Sequence, residues 1–246
     1  MNKLQQLLAT SLLATAGLAA AAPVYWTDWR GGNLATSGFQ GQGVITTPTS
    51  TVTVTYTNPR GIGFYQPSGT GIDYYTSSGP GISPYVSAAV DNRPTGTGII
   101  ALQFAGMQTL QFSQAIANPV FAYVSLNGNG YGFDQDFDLL SYDDPATGHA
   151  CGYWGCGTSY KNVVDHGGGV FEYQLLGTGE PHGAIRFKGA FDTVHWNSLS
   201  NEYWNGFTVG VQGTAREVFN TVPEPTGLAL TALVIAGLAT LRRRRD

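Results

Sequence analysis

Carboxylates and histidines in the second half of the chain are the residues whose types could support acid–base chemistry. Glu180 lies two residues before His182, and Asp192 lies three residues before His195. Either pair could transfer a proton, but both fit local hydrogen bonding at strand ends equally well. Glu180 and Glu202 could instead form the carboxylate pair of a glycoside hydrolase, whose roles depend on their separation. No nucleophile elbow, zinc-protease motif or phosphate-binding loop accompanies them, so we expect no catalysis.

An acidic run, "FDQDFDLLSYDD" at 133–144, is the one candidate for a metal site. If this stretch is a strand, Asp134, Asp136 and Asp138 point to one side, about 6.8 Å from one to the next. Like charges so close repel unless a cation or a basic partner lies between them. Calcium, which accepts oxygen ligands in flexible geometry, is the natural cation, although Leu139 and Pro145 break the EF-hand pattern. The alternative is a solvated strand face followed by a turn.

Two aromatic pairs lie in stretches rich in glycine and asparagine, "GYWGCG" and "SNEYWNG". Tyr153 and Trp154 belong to the first stretch, and Tyr203 and Trp204 belong to the second. Aromatic rings in loops can stack on sugar rings, or they can cap a hydrophobic core. These four residues are therefore candidate ligand-binding residues, with structural corners as the alternative.

The two cysteines, Cys151 and Cys156, flank the first aromatic pair. No further ligands follow at zinc spacing, and an even pair outside the cytosol is typical of a disulfide. Closing a loop of about six residues contributes only ~2 kcal/mol, so the main expected effect is to fix Tyr153 and Trp154 at a tight corner.

The elements that must position these residues are strands. In "TVTVTYT" (51–57) the alternation places Val52, Val54 and Tyr56 on one face. The nearly continuous apolar stretch "PVFAYVSLN" predicts a central strand, buried on both faces. No segment shows a sustained 3.6-residue period, so we expect an all-β fold, a β-sandwich or jelly roll. Further strands are predicted in "GIIALQF", "TLQFSQAI", "FDLLSYD", "VFEYQLL", "AIRFKGAF" and "GFTVGVQG".

Composition predicts one domain over residues 22–221, with an irregular Gly/Thr-rich portion at 22–95 and the main strands at 96–214. All thirty aromatic residues of the chain lie in 22–221, which indicates a real core. The same region has seven basic and fourteen acidic residues, a net charge of −7. Such a surface makes nucleic acid an unsuitable partner. A neutral glycan, a cation or another protein remains an option.

The first residues have the features of a secretory signal peptide. Lys3 supplies positive charge, an apolar stretch follows at 7–18, and alanines at 19–22 offer a cleavage site. We assign the signal peptide to 1–21, which predicts export.

The last residues, 222–246, combine "VPEP", an apolar helix at 226–241 and Arg242, Arg243, Arg244 and Arg245. A helix of 16 residues measures ~24 Å, a thin but feasible membrane span, and the arginines stay on the cytoplasmic side. Pro223 and Pro225 keep Glu224 in an extended stretch that a protease can grip. A permanent tail anchor is the alternative that the physics alone leaves open.

These ordered parts resemble the sorting segment of the bacterial PEP-CTERM proteins. The resemblance implies that Pro223, Glu224 and Pro225 are recognised by exosortase, a membrane protease-transpeptidase. It also implies a Gram-negative bacterium that makes exopolysaccharide. The protein would be tethered in the inner membrane and then placed at the cell surface or in the extracellular matrix. A sortase motif and a GPI signal fit these residues less well.

The region 118–213 is also similar to an extracellular domain that many PEP-CTERM proteins share. The residues that carry this similarity are "FDLLSY", "GYWGCGT", "EPHGAIRFKGAF" and "SNEYWNGFTVGV". We therefore expect an exported binding or structural component, associated with exopolysaccharide and without catalysis of its own. The alternatives are a calcium-stabilised scaffold and a polysaccharide-degrading enzyme.

Overall fold

The computed structural model describes residues 21–35 and 38–220. The predicted sorting segment (222–246), and the signal peptide up to residue 20, lie outside the described residues. A helix, α1, spans Ala215–Asn220, and a 3-10 turn spans Pro145–Thr147. The strands, in chain order, are β1 (Tyr25–Trp26), β2 (Asp28–Ala35), β3 (Gly38–Thr46), β4 (Thr51–Asn58), β5 (Phe64–Gln66), β6 (Ile99–Leu102), β7 (Gly106–Ala117), β8 (Val120–Val124), β9 (Gly130–Phe133), β10 (Phe137–Tyr142), β11 (Gly157–Asp165), β12 (Phe171–Gly179), β13 (Gly183–Phe187), β14 (Ala190–Ser198) and β15 (Asn205–Val211).

These strands form two antiparallel sheets. The seven-stranded sheet has the order β10-β13-β8-β15-β6-β5, with β1 also paired to β15. The eight-stranded sheet has the order β11-β12-β9-β14-β7-β4-β3-β2. The prediction of an all-β fold built from two sheets is confirmed. Strands β2 and β3 come from the portion predicted to be irregular and were not predicted, whereas β4 of the same portion agrees with the strand predicted at 51–57.

Aromatic rings from both sheets form the core between them. Phe121 and Phe207 stack with 4.8 Å between ring centroids, and Tyr56 and Trp196 of the facing sheet lie 5.2 and 5.3 Å from Phe207. All four side chains are buried. Burying each such side chain stabilises the fold by roughly 1.5–3 kcal/mol, and each ring pair adds about 1 kcal/mol. The aromatic residues thus form a real core.

The outer faces of the two sheets differ. Residues 67–98 cross the outer face of the seven-stranded sheet, where Tyr75 and Tyr85 form a second cluster with Ala122 and Val124. Strands β8 and β15 are therefore buried at every position, in agreement with the predicted central strand. On β4 the alternation is as predicted, with Val52, Val54 and Tyr56 buried and the alternate threonines exposed or half-buried.

Several strand boundaries differ from the prediction. Strand β6 ends at Leu102, so Phe104, the last residue of the strand predicted in "GIIALQF", lies outside it and is 37% exposed. The stretch "AIRFKGAF", expected to be one strand, turns at Gly189, whose φ of 104° suits glycine. It supplies the end of β13 and the start of β14. None of the helices in the described part of the chain is long and apolar enough to cross a membrane.

Candidate functional site

A cleft of about 290 Å³ lies at the end of the sandwich where four loops meet. The loops connect β8 to β9, β10 to β11, β12 to β13 and β14 to β15. Each of these loops connects a strand of one sheet to a strand of the other sheet. The packed core between the sheets therefore fixes both ends of each loop. The lining residues are Ser125, Asn127, Trp154, Glu180, Glu202, Tyr203 and Trp204.

Two tryptophans and a tyrosine form the aromatic side of the cleft. The Trp204 ring lies 5.1 Å from Phe64 and 5.2 Å from Tyr74, which hold it half-buried. Trp154 lies 6.3 Å from Trp204 and remains 53% exposed. Tyr203 is 87% exposed. The cleft therefore combines one supported ring with two rings that present accessible surface to a ligand.

The loop that carries Trp154 is closed by a disulfide between Cys151 and Cys156, whose Cα atoms are 4.5 Å apart. The pair agrees with the predicted disulfide. Inside the loop the Gly152 amide donates to the Gly155 carbonyl at 2.9 Å. Ser78, from the segment 67–98 that crosses the outer face of the seven-stranded sheet, donates through its backbone amide to the Cys151 carbonyl at 2.9 Å. The corner that holds Trp154 is thus fixed covalently and by hydrogen bonds.

Tyr153, predicted alongside Trp154 as a ligand-binding residue, packs behind Trp154 on the side away from the cleft. Its ring lies 4.8 Å from Trp154 and 5.2 Å from Tyr74. It does not line the cleft that the described residues form. The four predicted aromatic residues therefore meet in one region, with three at the cleft and Tyr153 behind Trp154.

Glu180 is anchored by hydrogen bonds from two side chains of the β8–β9 loop. Ser125 Oγ donates to Glu180 Oε2 at 2.6 Å, and Asn127 Nδ2 donates to Glu180 Oε1. These donors fix the carboxylate in one orientation at the edge of the cleft.

Glu202 lies in the same cleft with a less complete set of partners. Asn205 Nδ2 donates to Glu202 Oε2 at 2.7 Å, and Asn205 is itself held by the buried Tyr131 hydroxyl. Glu202 Oε1 is buried without a hydrogen-bond partner among the described residues. Burial raises the pKa of Glu202 to about 7, the Asn205 bond opposes this rise and the charge of Glu180 adds to it. Glu202 is therefore protonated in about half the molecules near neutral pH.

The two local acid–base pairs suggested by the sequence do not form. His182 is buried apart from Glu180, with its Nδ1 3.0 Å from the Tyr85 hydroxyl, and its amide donates to Asp143 Oδ1 at 3.0 Å. Burial lowers the pKa of His182 to about 3, so the ring is neutral near pH 7. It forms part of the buried interior rather than of the cleft.

Asp192 and His195 are likewise not bonded to each other. His195 Nδ1 lies 3.1 Å from Thr109 Oγ1, and Asp192 accepts a hydrogen bond from the neighbouring Thr193. A shallower depression of about 180 Å³, lined by Asp134, His166 and His195 among others, lies beside β9 and β14. Within the described ranges no three His, Cys, Asp or Glu side chains are arranged to hold a metal ion.

The acidic run does not form the continuous strand face that the calcium hypothesis assumed. Asp134 and Asp136 lie between β9 and β10, and only Asp138 lies in a strand. Asp134 accepts a hydrogen bond from the His195 amide at 2.9 Å. A calcium site at these residues stays a prediction.

Basic side chains surround the other two aspartates of the calcium hypothesis, Asp136 and Asp138. Asp136 pairs with Lys161 and, at 3.2 Å, with Lys188, while Asp138 lies 3.0 Å from Lys188 and 3.6 Å from Arg186. Burial opposes ionisation of Asp136, but the hydrogen bonds and charges of the two lysines outweigh it and lower the pKa.

Four residues of the cleft region were not predicted from the sequence. Ser125 and Asn127 follow the buried strand β8 in "SLNGNG", a polar turn that indicates a loop but no partner for Glu180. Phe64 and Tyr74 support the tryptophans from the first third of the chain. Their sequence surroundings give no signal of that role.

Comparison of the chain with protein-family models, with curated proteins and with solved structures finds no match. The similarity of the last residues to the PEP-CTERM sorting segment therefore stays a prediction.

Proposed function

We propose that this protein is an exported cell-surface or matrix component that binds exopolysaccharide in the cleft between Trp154 and Glu202, without catalysis of its own. The observation that carries the proposal is the meeting of Trp154, Tyr203 and Trp204 with anchored polar groups in one concave site. Sites for small ligands combine apolar surface with a few convergent polar groups in this way.

The chemistry of the cleft suits a sugar. The apolar face of a pyranose ring packs on an aromatic face, and its hydroxyl groups need hydrogen-bond donors and acceptors at the edge. Trp154 and Tyr203 present accessible rings, while Ser125, Asn127 and Glu180 form a fixed polar edge. The rigid disulfide loop lowers the conformational entropy that Trp154 loses on binding.

The proposed localisation is based on the sequences at the two ends of the chain. Residues 1–21 would direct export, and the helix at 226–241 with Arg242–Arg245 would hold the protein in the inner membrane. Exosortase would then act at Pro223, Glu224 and Pro225. The domain between them would be a jelly-roll-like β-sandwich that faces the extracellular polymer.

Removing an aromatic ring tests the binding proposal. We expect Trp154→Ala in the full-length protein to weaken retention on the cell's own polysaccharide by about tenfold or more, the effect of losing a main contact of an interface. Trp204→Ala should do the same, and Trp204→Phe should retain more binding because it keeps the contacts with Phe64 and Tyr74. Retention is measured by co-sedimentation and the fold by circular dichroism.

The matched control is Tyr160→Ala, which removes an exposed ring on β11, away from the cleft. It should bind like the unmodified protein. Retention of both tryptophan variants at the level of this control would overturn the proposal.

Thiol labelling in intact cells tests whether the domain is exported from the cytosol. Cys151 and Cys156 should resist alkylation unless a reductant is added, and replacing Pro223–Pro225 with alanines should keep the protein in the membrane fraction. Two freely labelled thiols inside a reduced compartment would contradict export.

A polysaccharide hydrolase is the second candidate, because Glu180 and Glu202 line the same cleft. Glu202 would give its proton to the glycosidic oxygen, and Glu180 would take a proton from the attacking water. Product formed by the unmodified protein and lost in Glu180→Gln or Glu202→Gln would support this candidate. The absence of product across a broad glycan panel would exclude it.

A further inference from the structure

We propose that the cleft selects sugars that carry a protonated primary amine, as in a partly N-deacetylated amino-sugar polymer, over neutral and acidic sugars. This inference rests on the proposed function, since it names the class of glycan that the same cleft binds. It follows from the charges of the lining, from its aromatic walls and from a comparable arrangement elsewhere in the molecule.

The described lining of the cleft has two carboxylates and no basic side chain. Glu180 and Glu202 both face the cleft, and no Lys, Arg or His belongs to its lining among the described residues. The charge of Glu180 opposes ionisation of Glu202, which shows that the two carboxylates interact. A cationic ligand group relieves this repulsion, whereas a uronate would add a third negative charge.

The walls of the cleft also suit an ammonium group. A cation within about 6 Å of a tryptophan or tyrosine ring is attracted to the face of that ring. Trp154, Tyr203 and Trp204 surround the same space that Glu180 and Glu202 line. Aromatic faces and carboxylates together recognise an organic cation more selectively than either does alone.

The protein holds one of its own ammonium groups in this way. Lys161 Nζ lies 5.0 Å from the centre of the Phe137 ring and 5.1 Å from that of Tyr173, and it pairs with Asp136. Two rings and a carboxylate thus surround a primary amine within this sandwich. The described lining of the cleft also combines aromatic rings with carboxylates, but it contains no lysine. A ligand would therefore have to supply the amine.

Amine binding should also displace a proton from Glu202. The titratable groups facing Glu202 are Glu180 in the cleft and Tyr131, which is linked through Asn205, with Tyr203 adjacent in the chain. None of these described groups is basic, so a bound ammonium group would bring a positive charge to Glu202. It would favour the ionised form of Glu202, and binding near neutral pH would release a proton.

Calorimetry of the full-length protein with two matched oligosaccharides tests the inference. The ligands are a glucosamine oligomer and its fully N-acetylated counterpart of equal length, compared at about pH 6, below the usual pKa of such amines. We expect the amine form to bind about tenfold tighter, with the preference falling as salt is added. Repeating the titration in buffers of different ionisation enthalpy should show proton release. A uronic-acid oligomer should bind more weakly than either.

Variants locate the preference. Glu202→Gln and Glu180→Gln should each lower the ratio of the two affinities by about threefold or more, and the double variant should bring it close to one. The control is Asp192→Asn, which removes the same charge from an exposed position on β14, and the ratio should stay as it was. Equal binding of the two oligomers, or an unchanged ratio in the double variant, would overturn the inference.

These outcomes separate this inference from the proposed function. If both oligomers bind equally and Trp154→Ala weakens both, the cleft binds glycans without selecting amines. If neither oligomer nor the native polysaccharide responds to Trp154→Ala, the proposed function itself fails.

Discussion

Two acidic regions of this molecule resolve their charge in opposite ways. Around the start of β10, Asp136 and Asp138 are matched by Lys161 of β11, by Arg186 of β13 and by Lys188, which follows β13. In the cleft, Glu180 and Glu202 have no basic partner among the described lining residues. The pKa of Asp136 is accordingly lowered, whereas that of Glu202 is raised to about 7.

The difference separates carboxylates whose charge is neutralised within the fold from carboxylates whose charge is not. An acid that is neutralised internally stabilises the folded state in its charged form. An acid held partly buried without a counter-ion lowers stability when it ionises, so a ligand that supplies the missing charge can gain binding energy there. Glu202 in the cleft is such an acid, and so is the buried Asp143, whose pKa burial raises to about 6.

The largest expected effect is at the neutralised region. Asp136→Asn should lower the free energy of unfolding by roughly 1–2 kcal/mol at pH 7, a value reduced for the partial exposure of these side chains, because Lys161 and Lys188 lose their shared partner. The folded-state pKa of Asp136 is depressed, so its contribution is present above the unfolded pKa of about 4 and is lost as pH falls further. Urea titrations of variant and unmodified protein should therefore converge in acid. Equal stability at pH 7 would contradict the ion-pair interpretation.

A smaller effect of opposite sign is expected in the cleft. The folded-state pKa of Glu202 is raised, so the folded state binds more protons than the unfolded state between about pH 4.5 and pH 7. Stability from this group is thus lost as pH rises through that window.

Glu202→Gln removes this dependence. Relative to the unmodified protein, the variant should gain about 1 kcal/mol between pH 4 and pH 8, a value discounted for the partial exposure of Glu202. Comparing the two proteins cancels the titration of other groups such as His182. A difference that stays constant with pH would remove the argument that Glu202 is strained when charged.

The smallest effect is expected from calcium. Because lysines already neutralise Asp136 and Asp138, millimolar calcium should shift the melting temperature by less than about 1 °C. Asp134→Asn and Asp138→Asn serve as controls for any shift that does appear. A rise of several degrees that these variants abolish would instead support the calcium-stabilised scaffold.

The strands that could be predicted are those whose local pattern alone decides burial. In β4 the period of two places Val52 and Val54 inside, and β8 is apolar at every position because the sandwich covers one of its faces and residues 67–98 cover the other. Strand β14 was missed, since Asp192 and His195 suggested a site rather than an exposed strand face. Strand β11 lies at a sheet edge and buries little, so its sequence shows no clear alternation.

The cleft could be predicted only in part. Trp154 and Trp204 stand out because large rings in loops are better candidates for ligand contact than rings in strands. The anchoring of Glu180 by Ser125 and Asn127 joins residues more than fifty positions apart and depends on how two loops meet at the end of the sandwich. Such long-range contacts leave no local period or motif. The ion pairs of Asp136 were missed for the same reason.

The bond between Cys151 and Cys156 ties the maturation of the cleft to the chemistry of its surroundings. Trp154 lies inside the small ring that this bond closes. In a reduced chain only hydrogen bonds such as those of Gly152 and Ser78 would hold this loop, so we expect Trp154 to be placed less firmly. Under the proposed export, oxidation outside the cytosol would then complete this wall of the cleft.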